Sequence, residues 1–324
     1  MDIEYHYYIT YLIAIKSGFE IQEAYTIAYS SQFVDYNCYE YIIYSANDSQ
    51  ARYKNSISAI NEKNLNPHKL DEILIPFHFL PDVKTRGNRK DGAMNPFNTV
   101  KNSTFAEYIL TNVLKSGNLY WIGIATNAYV DTWAHQNFVG VRSNYNAFNN
   151  FLAKLLPNIG HLDALDKADL VGLIWKDTIL KKVEINNVYR FTQASKKLMN
   201  LYLRFTGQCK FNKNKFISEL KFIMNNGNKN SYFDVKRFKN KRIRLYHRIA
   251  KKNSNFDILN YNRHCWRDES IVKQNTKRYV WKKNIEYEKS NWFKFQESIK
   301  HHHAFAISNL KLFHIDHFTR SIYL

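Results

Sequence analysis

Asn127-Ala-Tyr-Val-Asp131-Thr-Trp-Ala-His135-Gln-Asn137 sets an amide, a carboxylate and an imidazole four residues apart in a largely apolar run. Side chains at i, i+4 and i+8 stand on roughly one face of a helix. The stretch therefore predicts a buried helix that turns Asp131 and His135 toward the same neighbour. Inside a Trp- and Tyr-rich core both groups require partners. One reading is a structural Asp–His hydrogen bond. The other is a metal site, and the rest of the chain decides between them.

Working outward, apolar residues recur mostly at three- and four-residue steps, and the 324 residues include only 10 Gly and 5 Pro. The fold class expected is all-α, a multi-helix bundle with a basic helical C-terminal extension. Residues 103–116 and 118–140 read as helices with Gly117 as the C-cap between them. Residues 2–17 and 21–36 read as two more, divided by Ser17-Gly18. Helix is expected to continue through 37–66 as far as Asn66-Pro67. The segment Ile75-Pro-Phe-His78-Phe-Leu-Pro81 is too proline-bound for helix, and 84–98 reads as a polar loop. After the break at Pro157-Asn-Ile-Gly-His161, helices are expected near 169–175 and 190–206. A boundary near 207–232 would separate a domain at 1–210 from a basic, aromatic-rich part at 211–324.

Charge divides along the same line. Residues 1–180 carry 15 Lys+Arg against 18 Asp+Glu, whereas 181–324 carry 32 against 10, so the formal +19 lies in the C-terminal part. Such asymmetry implies an acidic partner, nucleic acid, anionic lipid or an acidic protein surface, or else a lysine-biased solvated face. The run holding Lys236, Arg237, Lys241, Arg242 and Arg244 is the clearest anion-binding candidate, with Phe238 and Tyr246 interleaved. No run approaches the length of a membrane span, and the first residues lack the features of a cleavable leader. A cytoplasmic location, or export without a cleaved signal, is expected. Cys38, Cys209 and Cys265 show no paired spacing and are expected as reduced thiols. His301, His302, His303, His314 and His317 read as surface residues.

The N-terminal two-thirds supplies the remaining ligand types. His6 lies in the first helix, Asp35 ends the second, His78 sits between two phenylalanines, and His161 is followed by Asp163 and Asp166. Imidazole nitrogen and carboxylate oxygen are the donor set of a hydrolytic zinc site without thiolates.

The order His6, Asp35, His78, Asp131/His135, His161 resembles that of the zinc-dependent phospholipases C and the related single-strand-specific nucleases. The local text, including Tyr5-His-Tyr-Tyr8, Ser31-Gln-Phe-Val-Asp35, Phe77-His-Phe-Leu-Pro81 and Asp131-Thr-Trp-Ala-His-Gln-Asn-Phe-Val-Gly140, is similar to an uncharacterised bacterial family of that type over about residues 1–205. The resemblance implies up to three zinc ions in a helical bundle, hydrolysing phosphodiesters. Asp35 and His78 would hold a first ion, with Asp131 as the bridge and Asp35 and Asp131 the catalytic carboxylates. His135, His161 and either Asp163 or Asp166 would hold a second, and His6 a third. In the phospholipases the third ion also uses the chain's own N-terminal amine, a contact the sequence does not lead one to expect here. Asn127 stands where the resemblance calls for histidine and would be at most a weak ligand through its carbonyl oxygen.

The expected function is a metal-dependent phosphoesterase acting on a phospholipid or nucleic-acid phosphodiester. The alternative is a degenerate relative that binds an anionic partner through the basic part. A third reading is an effector delivered without a cleaved signal.

Overall fold

The computed structural model describes residues 1–45, 52–61, 67–82, 88–148, 158–208, 212–254, 260–274, 278–283 and 285–312. The chain is mostly helical, with two small sheets.

Helix α1 (Thr10–Lys16) continues a π-helical turn over Glu4–Ile9, and α2 (Ile21–Tyr36) starts at a reciprocal capping box between Glu20 and Glu23. Helix α3 (Pro67–Phe77) delivers His78 at its end. Helix α4 (Thr104–Ser116) begins where Ser103 Oγ accepts from the Ala106 N–H at 3.0 Å, and it ends at Gly117 in the left-handed region, φ +68°. Helix α5 (Leu119–Ala134) follows at once, capped by Asn118. Every residue from Ile122 to Ala134 is buried, so the polar Thr126, Asn127, Asp131 and Thr132 must find partners inside the protein. It lies at the centre, against α2, α4, α6 (Asn187–Thr206) and α10 (Asn291–Leu312). Gly123 permits the α2–α5 approach, because a Cβ there would overlap the Ile27 carbonyl and Ser30. That approach brings Asp35 to Asn127 and Asp131.

Sheets replace helix in two places. Within 37–66, β1 (Ile42–Tyr44) pairs antiparallel with β2 (Arg52–Lys54) and parallel with β6 (Tyr279–Trp281), which pairs with β5 (Ile271–Lys273). The β-branched and aromatic Tyr41-Ile-Ile-Tyr44 run fits a pleated surface better than a helix. Residues 169–175 form a turn into β3 (Ile174–Lys176), paired with β4 (Glu184–Asn186). The proline-bound segment departs the other way: α3 runs through Pro76, which gives up the hydrogen bond back to the Glu72 carbonyl, and the helix ends one residue later.

The core does not divide at residue 210. Helices α7 (Lys213–Met224), α8 (Tyr232–Ser254) and α9 (Cys265–Ser270) contribute Phe216, Tyr246 and Trp266 to the same apolar cluster as Tyr5, Tyr29 and Trp133. Trp266 stacks on Tyr29 with centroids 4.0 Å apart, a contact worth about 1 kcal/mol beyond area burial. Cys38 and Cys265 are thiols outside any disulfide; Cys209, His314 and His317 lie outside the described residues. Among the described residues no helix is long and apolar enough to cross a membrane.

Candidate metal centre

Four segments converge on the C-terminal half of α5. The π-helical turn brings His6, the last turn of α2 brings Asp35, and the end of α3 brings His78. Helix α5 supplies Asn127 and Asp131, with His135 as its C-cap. His161 lies just before a 3-10 stretch over Leu162–Ala168, and Asp169 just after it. A break at Leu165, φ +54°, re-aims the chain between them.

Asp131 is the hub. Its Oδ1 is paired with the Met1 α-amino group and lies 3.1 Å from His6 Nε2, while its Oδ2 lies 3.1 Å from His78 Nδ1. Asp169 is the second acceptor. Its Oδ1 is 3.1 Å from His135 Nε2 and 3.2 Å from the Met1 amine, and its Oδ2 is 3.2 Å from His161 Nε2. Asp35 stands on the more open side, 3.8 Å from His6 Nε2 and 3.9 Å from His78 Nδ1. The donor atoms of His135, His161 and Asp169 all lie within 4.8 Å of one another.

Each imidazole has one nitrogen occupied and the other aimed at carboxylate. His78 Nε2 donates to the Ser58 carbonyl at 2.9 Å, His135 Nδ1 to the His78 carbonyl at 2.8 Å, and His161 Nδ1 to the Leu165 carbonyl at 2.8 Å. His6 Nδ1 meets Ser31 Oγ at 3.4 Å. A carbonyl only accepts, so His78 Nε2, His135 Nδ1 and His161 Nδ1 each carry a proton, and the second nitrogen of each ring faces a carboxylate oxygen. Each such nitrogen–oxygen pair needs either a proton or a metal ion between its atoms. His6 Nε2 is buried without a hydrogen bond of its own, and three carboxylates here face a single ammonium. The residues present fit divalent metal with nitrogen and oxygen ligands.

The charges respond accordingly. Burial alone would raise the Asp131 carboxyl, but the Met1 amine, His135 and His6 hold it well below the ordinary carboxylate range. Asp169 is held down in the same way by His161, the Met1 amine and His135, against its burial. Burial lowers His135. For His78 the burial effect is outweighed by Asp131, which raises it. The Met1 ammonium, buried yet facing both aspartates, rises to about 11.

His6, Asp35, His78, Asp131, His135 and His161 thus come together as the sequence suggested. Asp163 and Asp166 do not. Asp163 accepts from the Phe148 N–H at 2.9 Å, and Asp166 is held by the Tyr232 hydroxyl and Lys236. Asp169 takes the place expected of them, because two short turns and the Leu165 kink make the eighth residue after His161, rather than the second or fifth, return to its ring. Nothing in the local sequence announces that kink. The Met1 amine, not expected in the cluster, sits at its centre. Asn127 presents nitrogen rather than oxygen, donating to the Ser31 carbonyl at 2.9 Å and to Asp35 Oδ1 at 3.0 Å.

Arg190 is a further residue that sequence reading missed. Its guanidinium donates to the Ala134 carbonyl at 3.2 Å and the Ala168 carbonyl at 3.1 Å, the residues immediately before His135 and Asp169. Burial lowers its pKa to about 9 despite Asp169 and Asp177 nearby.

The anion-binding candidates separate. Arg242 is fully buried on Glu4, so it is not open to an outside anion. Lys236 pairs with Asp166, Arg237 with Asp234, and Lys241 lies over the Phe238 ring. Arg237, Lys241 and Arg244 are exposed. His302, expected at the surface, is buried between the Trp121 indole N–H and the Pro76 carbonyl.

The chain belongs to the family described as family of unknown function (DUF6765), which matches residues 1–310. No curated protein and no solved structure matches it.

Proposed function

For this member of a family of unknown function, we propose a zinc-dependent phosphodiester hydrolase similar in fold and metal arrangement to the zinc-dependent phospholipases C and single-strand-specific nucleases. The observation that carries the reading is the set of four imidazoles, each tied back by one nitrogen and aimed by the other at Asp131, Asp169 or Asp35. One ion would be held by His135, His161 and Asp169. A second would be held by His6 and Asp131, joined by the Met1 amine once the ion has displaced its proton, and a third, short of a nitrogen ligand at Asn127, by His78, Asp35 and Asp131.

Bound zinc brings the pKa of water toward neutrality and offsets charge developing on the phosphoryl oxygens. Asp131, kept ionised by its neighbours, joins the two halves of the centre. Asp35 is the carboxylate with access to solvent, its side chain 26% exposed. Its oxygens are fixed by the Gln32 and Asn127 amides, and from there it orients the attacking water and accepts its proton. Exposed Arg237, Lys241 and Arg244 add a salt-sensitive attraction for an anionic polymer or surface.

The test is turnover of bis(p-nitrophenyl) phosphate, phospholipid vesicles and single-stranded oligonucleotides by zinc-loaded protein. Hydrolysis of at least one, abolished by chelator and by Asp131→Ala, is expected. Zinc-loaded protein that turns over none of them would favour the second reading, a non-catalytic binder of an anionic partner. The inward-facing nitrogen of Asn127 is the observation on that side.

A further inference from the structure

We propose that helix α8, the most basic helix among the described residues, is a positioning element for the first helical turn, and that Arg242 sets the register in which His6 meets the metal centre. This rests on the metal-centre reading above.

The turn over Glu4–Ile9 is π-helical, a winding that is rare and poorly self-supporting. Its register therefore needs an anchor from outside. Glu4 and His6 are both fully buried, but they face different neighbours. His6 Nε2 reaches Asp131, while Glu4 is gripped from α8 in a two-pronged pair. Arg242 Nε donates to Glu4 Oε2 at 2.8 Å and Nη2 to Glu4 Oε1 at 2.6 Å. A planar fork on a carboxylate fixes orientation as well as distance.

Two of the three remaining guanidinium hydrogens reach the Asn226 carbonyl at 3.1 Å and the Val235 carbonyl at 3.0 Å, which fasten Arg242 to its own surroundings. Lys239, one turn earlier on α8, pairs with Asp2 at 2.9 Å. Asp2 N–H in turn donates to the Asp169 carbonyl at 3.3 Å. Part of the positive charge of α8 is thus spent inside the protein, on Asp2 and Glu4 at either side of the entry of the chain into the centre.

The test compares zinc content and the visible absorption of the cobalt-substituted protein in wild type, Arg242→Lys, Arg242→Met and the double variant Glu4→Gln/Arg242→Met. The double variant leaves no charge buried alone, so it remains folded if the single variant does not. The expected result is a folded double variant that binds one ion about 10- to 100-fold more weakly. The ion at His135, His161 and Asp169 keeps its cobalt spectrum, and Arg242→Lys gives an intermediate loss. A folded double variant with wild-type affinity for every ion overturns the positioning role alone. A wild-type protein that binds no metal overturns the metal-centre reading together with it.

Discussion

The Asn127 side-chain amide donates a hydrogen bond to Asp35 Oδ1 at 3.0 Å, and the same nitrogen donates to the Ser31 carbonyl. Both partners are acceptors, so the amide oxygen cannot be the atom facing Asp35. On the metal-centre reading, the proposed ion between Asp35, His78 and Asp131 would therefore be one ligand short, with one of the Asp35 lone pairs already in use.

Replacing Asn127 with histidine should supply the missing nitrogen. Asn127→His is expected to raise zinc bound at saturation by up to one equivalent, read by equilibrium dialysis. Unchanged stoichiometry would mean that this position does not face a metal.

Asp169, not Asp163 or Asp166, should be the acid that partners His161. Asp169→Asn is expected to weaken binding at the triad by about 10- to 100-fold, while Asp163→Asn and Asp166→Asn leave it within about threefold. A metal loss in either of the latter comparable to that of Asp169→Asn would sink the assignment.

Arg190 holds the carbonyls that precede His135 and Asp169. Arg190→Met leaves two buried acceptors without a donor and should cost roughly 2–4 kcal/mol in chemical denaturation. It should also lower zinc affinity at the triad in folded protein. A stable variant with full zinc affinity would show that the backbone holds the two ligands together unaided.

His302 should shape the acid side of the stability curve. Burial depresses its pKa to about 4 against an ordinary value near 6.5. The unfolded chain therefore takes up the proton first, and stability present above about pH 6.5 is lost as pH falls toward 4, by up to about 3 kcal/mol. His302→Gln can still accept from Trp121 and donate to Pro76 but cannot be charged. Urea titrations with chelator present should show a shallower fall between pH 6.5 and 4.5 in the variant. Parallel curves would contradict the depressed pKa.

Much of this architecture was legible because it is local. Ser103, Gly117 and Asn118 mark the ends of α4 and α5, and the four-residue spacing of Asn127, Asp131 and His135 survives as one buried face. What escaped was set by long-range contacts. The strands at Ile42–Tyr44 and Tyr279–Trp281 find each other across most of the chain, and no local periodicity encodes that. Asp169 depends on a kink at Leu165, and the Met1 amine on how the first turn packs. Arg242 read as a surface cation because its partner, Glu4, lies 238 residues away. The helical period shows which residues share a face, but not whether that face meets water or a buried carboxylate.

The most direct test of the metal-centre account is the zinc content of tag-free protein, dialysed against micromolar zinc and measured by inductively coupled plasma mass spectrometry beside Asp131→Ala. The account predicts two or more equivalents in the wild type and the loss of at least one in the variant. A metal-free wild type, or an Asp131→Ala protein that keeps its full complement, would contradict it.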